Sequence, residues 1–265
     1  MTTVFVSLTD RGYYPKALRT LQELRDPVKG NWQGDIVLIC VEFDPPEEQM
    51  KQLNITVRKV QHIDHNPLWH IWSLFPIPPM ADNRHYAKVS QWDKLEVFSD
   101  YFRAWNRVVF LDAGIRVVDT VEHLLALPWE GQFLAPDDSD PYDNGNRFKC
   151  QLHLQANPKA RQDFLAEFGT DLLERKYFLN CIFLFDTRLL NPRPAYHIMK
   201  NWMYKYPIMA CNEMGLMNLY FRDSWVPFPQ RILDGSKYLF GWSELNYKEK
   251  PNWTKFCFLK YPATL

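Results

Sequence analysis

Asp112 is the residue through which this 265-residue sequence is most readily read as chemistry. It closes the apolar run Val108-Val-Phe-Leu-Asp-Ala-Gly114. A carboxylate there is oriented by a strand and solvated on one side, so it can accept from a ribose hydroxyl or bind a hard cation through oxygen. The competing reading is a strand-end aspartate that only opens a turn, with Gly114 supplying a positive φ. Two other clusters carry weaker chemistry. Asp137, Asp138, Asp140 and Asp143 crowd into Ala135-Pro-Asp-Asp-Ser-Asp-Pro-Tyr-Asp-Asn-Gly145, but a calcium loop needs a central glycine and a closing glutamate that are missing. They read as a solvated acidic loop. His62, His65 and His70 lie near Trp69 and Trp72, with no expected helix to set them on one face as a zinc site requires.

The elements that must position these groups alternate between strand and helix patterns. Thr3–Leu8, Gly34–Val41, Ile55–Val60 and Arg107–Leu111 read as strands, as do Gln132–Ala135, Cys181–Phe185 and Trp225–Phe228. Tyr14–Leu24, Glu47–Leu53, Pro158–Phe168, Pro194–Tyr204 and Glu213–Phe221 read as helices. Val89, Trp92, Leu95, Phe98 and Phe102 recur every three or four residues, which predicts one long amphipathic helix over Tyr86–Trp105. Asn66–Pro79, rich in Pro and Trp, reads as an irregular surface excursion. The alternation implies an α/β fold with a mostly parallel central sheet covered by helices on both faces, as a single domain over 1–265. Ligands of such sheets bind beyond the carboxyl ends of the strands, where Thr9-Asp10, Asp112 and the segment after Ala135 fall.

Composition narrows the classes. Thirty-one Lys+Arg balance 31 Asp+Glu, which argues against a dedicated nucleic-acid or anionic-membrane binder. The longest apolar run is about six residues, far short of the roughly 20 that span a bilayer, so no transmembrane segment is expected. The N-terminus shows no basic region followed by a long apolar stretch. Five cysteines, an odd number without a CxxC pair, fit a reducing, cytoplasmic setting. Most of the 41 aromatics (10 Trp, 13 Tyr and 18 Phe) are expected to fill the core.

Four segments, taken in order, resemble the GT-A glycosyltransferases, especially glycogenin and its relatives in retaining family 8. Phe5-Val-Ser-Leu-Thr-Asp-Arg-Gly-Tyr-Tyr14 resembles the first strand and uracil-holding loop. Lys94-Leu95 with Arg107-Val-Val-Phe-Leu-Asp-Ala-Gly114 resembles the helix leading into the DxD strand. Phe178-Leu-Asn-Cys-Ile-Phe-Leu-Phe185 and Glu213-Met-Gly-Leu-Met-Asn-Leu-Tyr-Phe221 resemble the acceptor-side strand and the following helix.

The resemblance implies a GT-A fold and transfer of a sugar from a nucleotide-diphosphate donor, a UDP-sugar above all, to a hydroxyl of a glycan or other acceptor. It implies that Leu8, Thr9, Asp10 and Tyr14 meet the nucleotide, Tyr14 by stacking on the base, and that Lys94 meets the donor's phosphate or sugar. Asp112 would hold the ribose and any metal, with Ala113 and Gly114 beside it also meeting the donor. Asn180 and Glu213 would line the reacting carbon. From the residues alone, Lys94 reads equally as a helix-surface lysine beside Asp93 and Glu96, Asn180 as a backbone partner, and Glu213 as a helix-start carboxylate.

Departures from the family pattern matter as much. Gly114 stands where the family has its second DxD aspartate, and no histidine follows His197. Lys250-Pro-Asn-Trp253 resembles only the end of the family's metal-histidine motif, with Asp234-Gly235 a candidate carboxylate substitute. Either Mn²⁺ or Mg²⁺ is held weakly, through Asp112, or basic side chains such as Lys94, Lys237 and Lys250 do its work; no organic cofactor is expected. Met214 replaces a glutamine. An inactive module that binds a nucleotide-sugar or glycan on the same fold is the alternative function.

Overall fold

β-Branched and apolar runs become the buried strands and the segments between them the covering helices. The computed structural model describes residues 2–78, 84–138, 146–191, 194–242 and 253–260. In chain order come β1 (Thr3–Thr9), α1 (Tyr14–Arg25), β2 (Asp35–Val41), α2 (Glu47–Gln52), β3 (Thr56–Val60), α3 (Asn66–Leu74) and α4 (Arg84–Ala87). Two 3-10 segments, Val89–Phe98 and Asp100–Ala104, precede β4 (Arg107–Leu111), β5 (Ile115–Val117), α5 (Glu122–Leu125) and β6 (Phe133–Ala135). Then follow α6 (Pro158–Phe168), β7 (Ile182–Asp186), α7 (Ala195–Lys205), α8 (Glu213–Phe221), β8 (Trp225–Pro227), β9 (Tyr238–Trp242) and β10 (Phe256–Lys260).

Seven strands form one sheet in the order β3-β2-β1-β4-β7-β6-β8. All its pairings are parallel except those of β7, which runs antiparallel to both β4 and β6. The two-residue period of β1 splits its side chains between two cores. Val4, Val6 and Leu8 pack with Trp92, Leu95 and Phe98 on one face, and Phe5 packs with Ala17, Leu21 and Leu24 of α1 on the other. Aromatics dominate the first core: the Phe133 ring lies 4.2 Å from that of Phe221 and 4.7 Å from that of Phe178. A second sheet, β5-β10-β9, was not legible in the sequence. Its β10 runs antiparallel to β5 with Lys260 opposite Ile115, three residues beyond Asp112.

The segment expected as one helix over Tyr86–Trp105 is instead a 3-10 run broken at Ser99, whose backbone is extended. Val89, Trp92, Leu95 and Phe98 are spaced by strict threes, which a three-residue turn aligns on one edge and an α-helix does not. That winding creates two more edges. Ser90, Asp93 and Glu96 face polar partners: Ser90 Oγ donates to Asp10 Oδ2 at 2.7 Å, Ile63 N donates to Asp93 Oδ1 at 2.8 Å, and Glu96 pairs with Arg58 at 3.1 Å. Gln91 and Lys94 form the third edge and line a cavity.

Asn66–Leu74 is helical, contrary to the irregular reading, because Pro67 sits in its first turn, where no donor is lost. Leu68 and Trp72, one turn apart, are buried, and Trp72 Nε1 donates to Pro207 O at 3.0 Å. The three histidines near it do not converge. His62 Nδ1 lies 2.6 Å from Asp93 Oδ2, His65 is buried against Trp69, and His70 is exposed.

Burial pushes His65 down to about 4 from an ordinary 6.5, with His62 adding to the effect. The unfolded chain therefore binds a proton between those pH values that the folded chain does not, and stability falls as pH drops through that window. We expect a loss of about 2–3 kcal/mol between pH 6.5 and 4 that His65→Gln removes. Urea midpoints of both proteins across that range check this, and equal pH slopes would contradict it.

Candidate active site

At the carboxyl ends of β1 and β4 the structure opens a cavity of about 380 Å³, within the range of small-molecule sites. Leu8, Thr9 and Asp10 enter from the end of β1, Asp112, Ala113 and Gly114 from the turn after β4, and Lys94 and Asn180 from the sides. Thr9 Oγ1 donates to Asp10 O at 2.8 Å, and Asp10 Oδ1 accepts from Tyr13 N at 2.9 Å, so the loop after β1 is held as a tight turn. α1 clamps the other loop. Thr20 Oγ1 donates to Ile115 O at 2.7 Å and accepts from Gly114 N at 3.2 Å, while Gly114 takes a φ of 97°. Gly114 thus makes the expected turn, and Asp112 beside it lines the cavity.

Asp112 sits between two ammonium groups. Lys94 Nζ is 3.0 Å from its Oδ1 and Lys260 Nζ 2.8 Å from its Oδ2. Burial alone would raise the Asp112 pKa, but Lys260 and Lys94 outweigh it and hold the carboxyl below the usual aspartate range. Lys94 is no surface lysine: its side chain is 5% exposed. Besides Asp112 it bonds Glu213 Oε1 at 3.0 Å and Asn180 O at 3.3 Å. Burial works against its charge, yet Asp112 and Glu213 hold its pKa above that of a free lysine. All three of its donors are thereby used, so it orients the carboxylates and has none left for a phosphate.

Glu213 lies deeper than Lys94, Asp112 and Asn180. It is 3% exposed and lies beneath the cavity floor, bonded by Lys94 and, at 2.7 Å, by Asn180 Nδ2. Burial raises its pKa and Lys94 offsets this only in part. The residue before it, Asn212, is fully buried at a φ of 50° and donates to Gln91 Oε1 at 2.8 Å. That strained start to α8 turns Glu213 inward and Met214 into the cavity. Both bonds to Glu213 fall on Oε1, and the buried Oε2 has no partner among the described residues.

Tyr14 is misplaced by the sequence reading. Its hydroxyl donates to Gln49 Oε1 at 2.6 Å and its ring packs on Phe43, so the first turn of α1 points it away. Tyr13, one residue earlier, lines the cavity and is 38% exposed. Lys237 is tied to Asp119, and Asp234 is exposed and accepts from Ser236 N at 2.8 Å; neither reaches the cavity. Lys250, Asp140 and Asp143 lie outside the described residues. Sequence reasoning missed Lys260 and Tyr13, and it also missed the basic wall of Lys16, Arg19, Arg84 and Lys88. With Lys94 and Lys260 that makes six cationic side chains against Asp10 and Asp112, a concentrated positive field in a chain of zero net charge.

No family model matches the sequence. Among solved structures, LgtC, a galactosyltransferase in complex with donor and acceptor sugar analogs, superposes with a TM-score of 0.58. The match covers 98% of this chain and 87% of that one at 13% identity. Core-mannan synthase A from Aspergillus fumigatus, in a manganese and GDP form, gives 0.52 over 86% and 73% at 9% identity. The chain has the GT-A glycosyltransferase fold. In sequence this GT-A chain is 25% identical over 199 residues to galactinol synthase 2 of Arabidopsis thaliana, covering 73% of this chain and 53% of that protein. It spans about half the length of the curated relatives it matches. Among its described residues no helix is long and apolar enough to cross a membrane.

Removing Lys94 leaves Glu213 without a cation in a poorly solvated floor, while Asp112 keeps Lys260. Lys94→Met is expected to cost about 3–5 kcal/mol, part of it recovered when Glu213→Gln is added. Chemical denaturation of both variants measures this, and a loss below about 1 kcal/mol for Lys94→Met would contradict the burial argument.

Proposed function

We propose that residues 1–265 act as one glycosyltransferase domain that moves a sugar from a nucleotide-diphosphate donor, a UDP-sugar, to a hydroxyl of a glycan or other acceptor. One observation carries the reading: a strongly basic cavity at the carboxyl ends of β1 and β4, with Asp112 at its centre, in a GT-A fold. A diphosphate fits the basic wall, and a ribose hydroxyl can donate to the remaining lone pair of an Asp112 oxygen, each of which already accepts from one lysine. Tyr13 offers a ring for the base at the turn fixed by Asp10. Asn180 and Met214 flank the space left for the sugar.

In the transfer, the bond between sugar carbon 1 and the diphosphate oxygen breaks with its electron pair staying on the diphosphate. The acceptor oxygen forms the new bond to carbon 1, and its proton leaves with the diphosphate. The chain's part is to orient the donor and offset the charge that develops, the largest catalytic term in such reactions. Five cysteines that form no disulfide support a reducing, cytoplasmic setting.

The test is release of UDP from UDP-glucose and UDP-galactose with a panel of sugar and polyol acceptors. Asp112→Asn is expected to lower kcat/KM by roughly 100-fold. Unchanged turnover in that variant, or donor bound by the native chain with no cleavage under any condition, would contradict the reading.

A further inference from the structure

Departure of a diphosphate needs a cation beside it. The family resemblance gives that duty to a divalent ion on two aspartates and a histidine, and the residues of this cavity do not fit such an ion. Gly114 stands at the second aspartate's position with a φ of 97°, a conformation that aspartate adopts only with strain. Both oxygens of Asp112 are already engaged by ammonium groups. Asp10 spends one oxygen on Tyr13 N and the other on Ser90 Oγ. Among the described residues, the one trio with metal-ligand spacing is Asp119, His123 and Cys257. It lies outside the cavity, with Asp119 paired to Lys237.

Lys260 stands where the ion would be needed. It is the last described residue of β10, and the β10–β5 pairing brings it opposite Ile115, beside the turn that carries Asp112. Its side chain is 25% exposed and lines the cavity. Asp112 Oδ2 takes one of its three donors at 2.8 Å, whereas Lys94 spends all three on protein groups. Among the described residues its ammonium bonds Asp112 alone, so a lysine at this strand end presents a positive charge with two donors to offer phosphate oxygens.

We infer that Lys260 is the cation that binds and neutralises the donor diphosphate, so that donor binding and transfer need no divalent metal. The inference rests on the donor reading above. Lys260 takes no part in proton transfer; it shields the electron pair left on the diphosphate as the sugar departs.

Calorimetric titration of the full chain with UDP, in EDTA and in Mn²⁺, tests this with Lys260→Gln and Lys260→Arg beside the native protein. The native affinity is expected to agree within about twofold between EDTA and Mn²⁺. Lys260→Gln is expected to weaken UDP binding by about tenfold or more, the loss of one charged hydrogen bond, with its melting temperature within a few degrees of native. Lys260→Arg should keep most of the affinity. Should Lys260→Gln melt early, the native metal comparison alone decides. Tightening by more than about tenfold with Mn²⁺, or native affinity in a stably folded Lys260→Gln, would overturn the lysine assignment while leaving the donor reading intact. Failure of the native chain to bind UDP with or without Mn²⁺ would overturn the donor reading and this inference together.

Discussion

One carboxylate held between two ammonium groups organises this molecule's working end. Asp112 accepts from Lys94 and Lys260 on separate oxygens, and Lys94 carries the charge onward to Glu213. Buried ion groups of this kind seldom repay their desolvation, and apolar residues of similar volume often stabilise more. These charged groups come from a 3-10 segment, the turn after β4, the start of α8 and the end of β10, and meet at the cavity. The four charges sum to zero, so the floor itself is balanced. Lys16, Arg19, Arg84 and Lys88 line the cavity beyond that floor.

Three remote features make that interaction geometrically necessary. The 3-10 winding of Val89–Phe98 puts Trp92, Leu95 and Phe98 in the core and so aims Lys94 at the cavity. The small sheet folds the distant β10 back against β5, so that a lysine 148 residues along the chain reaches Asp112. The left-handed Asn212 begins α8 with Glu213 facing inward. Asn218 then fixes the same helix by accepting from Phe178 N at 2.8 Å and donating to Phe178 O at 3.0 Å, two residues before Asn180.

Much of this was legible before any coordinates. The strands of the large sheet announce themselves through uninterrupted apolar, β-branched runs, and Arg107–Leu111 and Glu213–Phe221 fall where their patterns place them. Asp112 stood out because it ends such a run, although a turn-opening aspartate explained it equally well, and its place on the cavity wall is what the structure adds. The failures share a cause. Strict spacing by three and spacing by three-or-four differ little over ten residues, so the 3-10 segment read as an α-helix. Tyr13 and Tyr14 differ by one residue, and only the start of α1 decides which ring meets the cavity. Glu213 shows its charge and its helix in the sequence but not its depth. Lys260 depends on a pairing between strands far apart in the chain, which no local pattern reports; the short run Phe256-Cys-Phe-Leu-Lys260 was its only signal.

The most direct measurement is a crystal structure of the chain with UDP bound from metal-free buffer. The account predicts diphosphate oxygens at about 3 Å from Lys260 Nζ, with Asp112 still between its two lysines and its oxygens turned toward the ribose. A diphosphate lodged away from Lys260, or a nucleotide seated outside the cavity with Asp112 untouched, would contradict it.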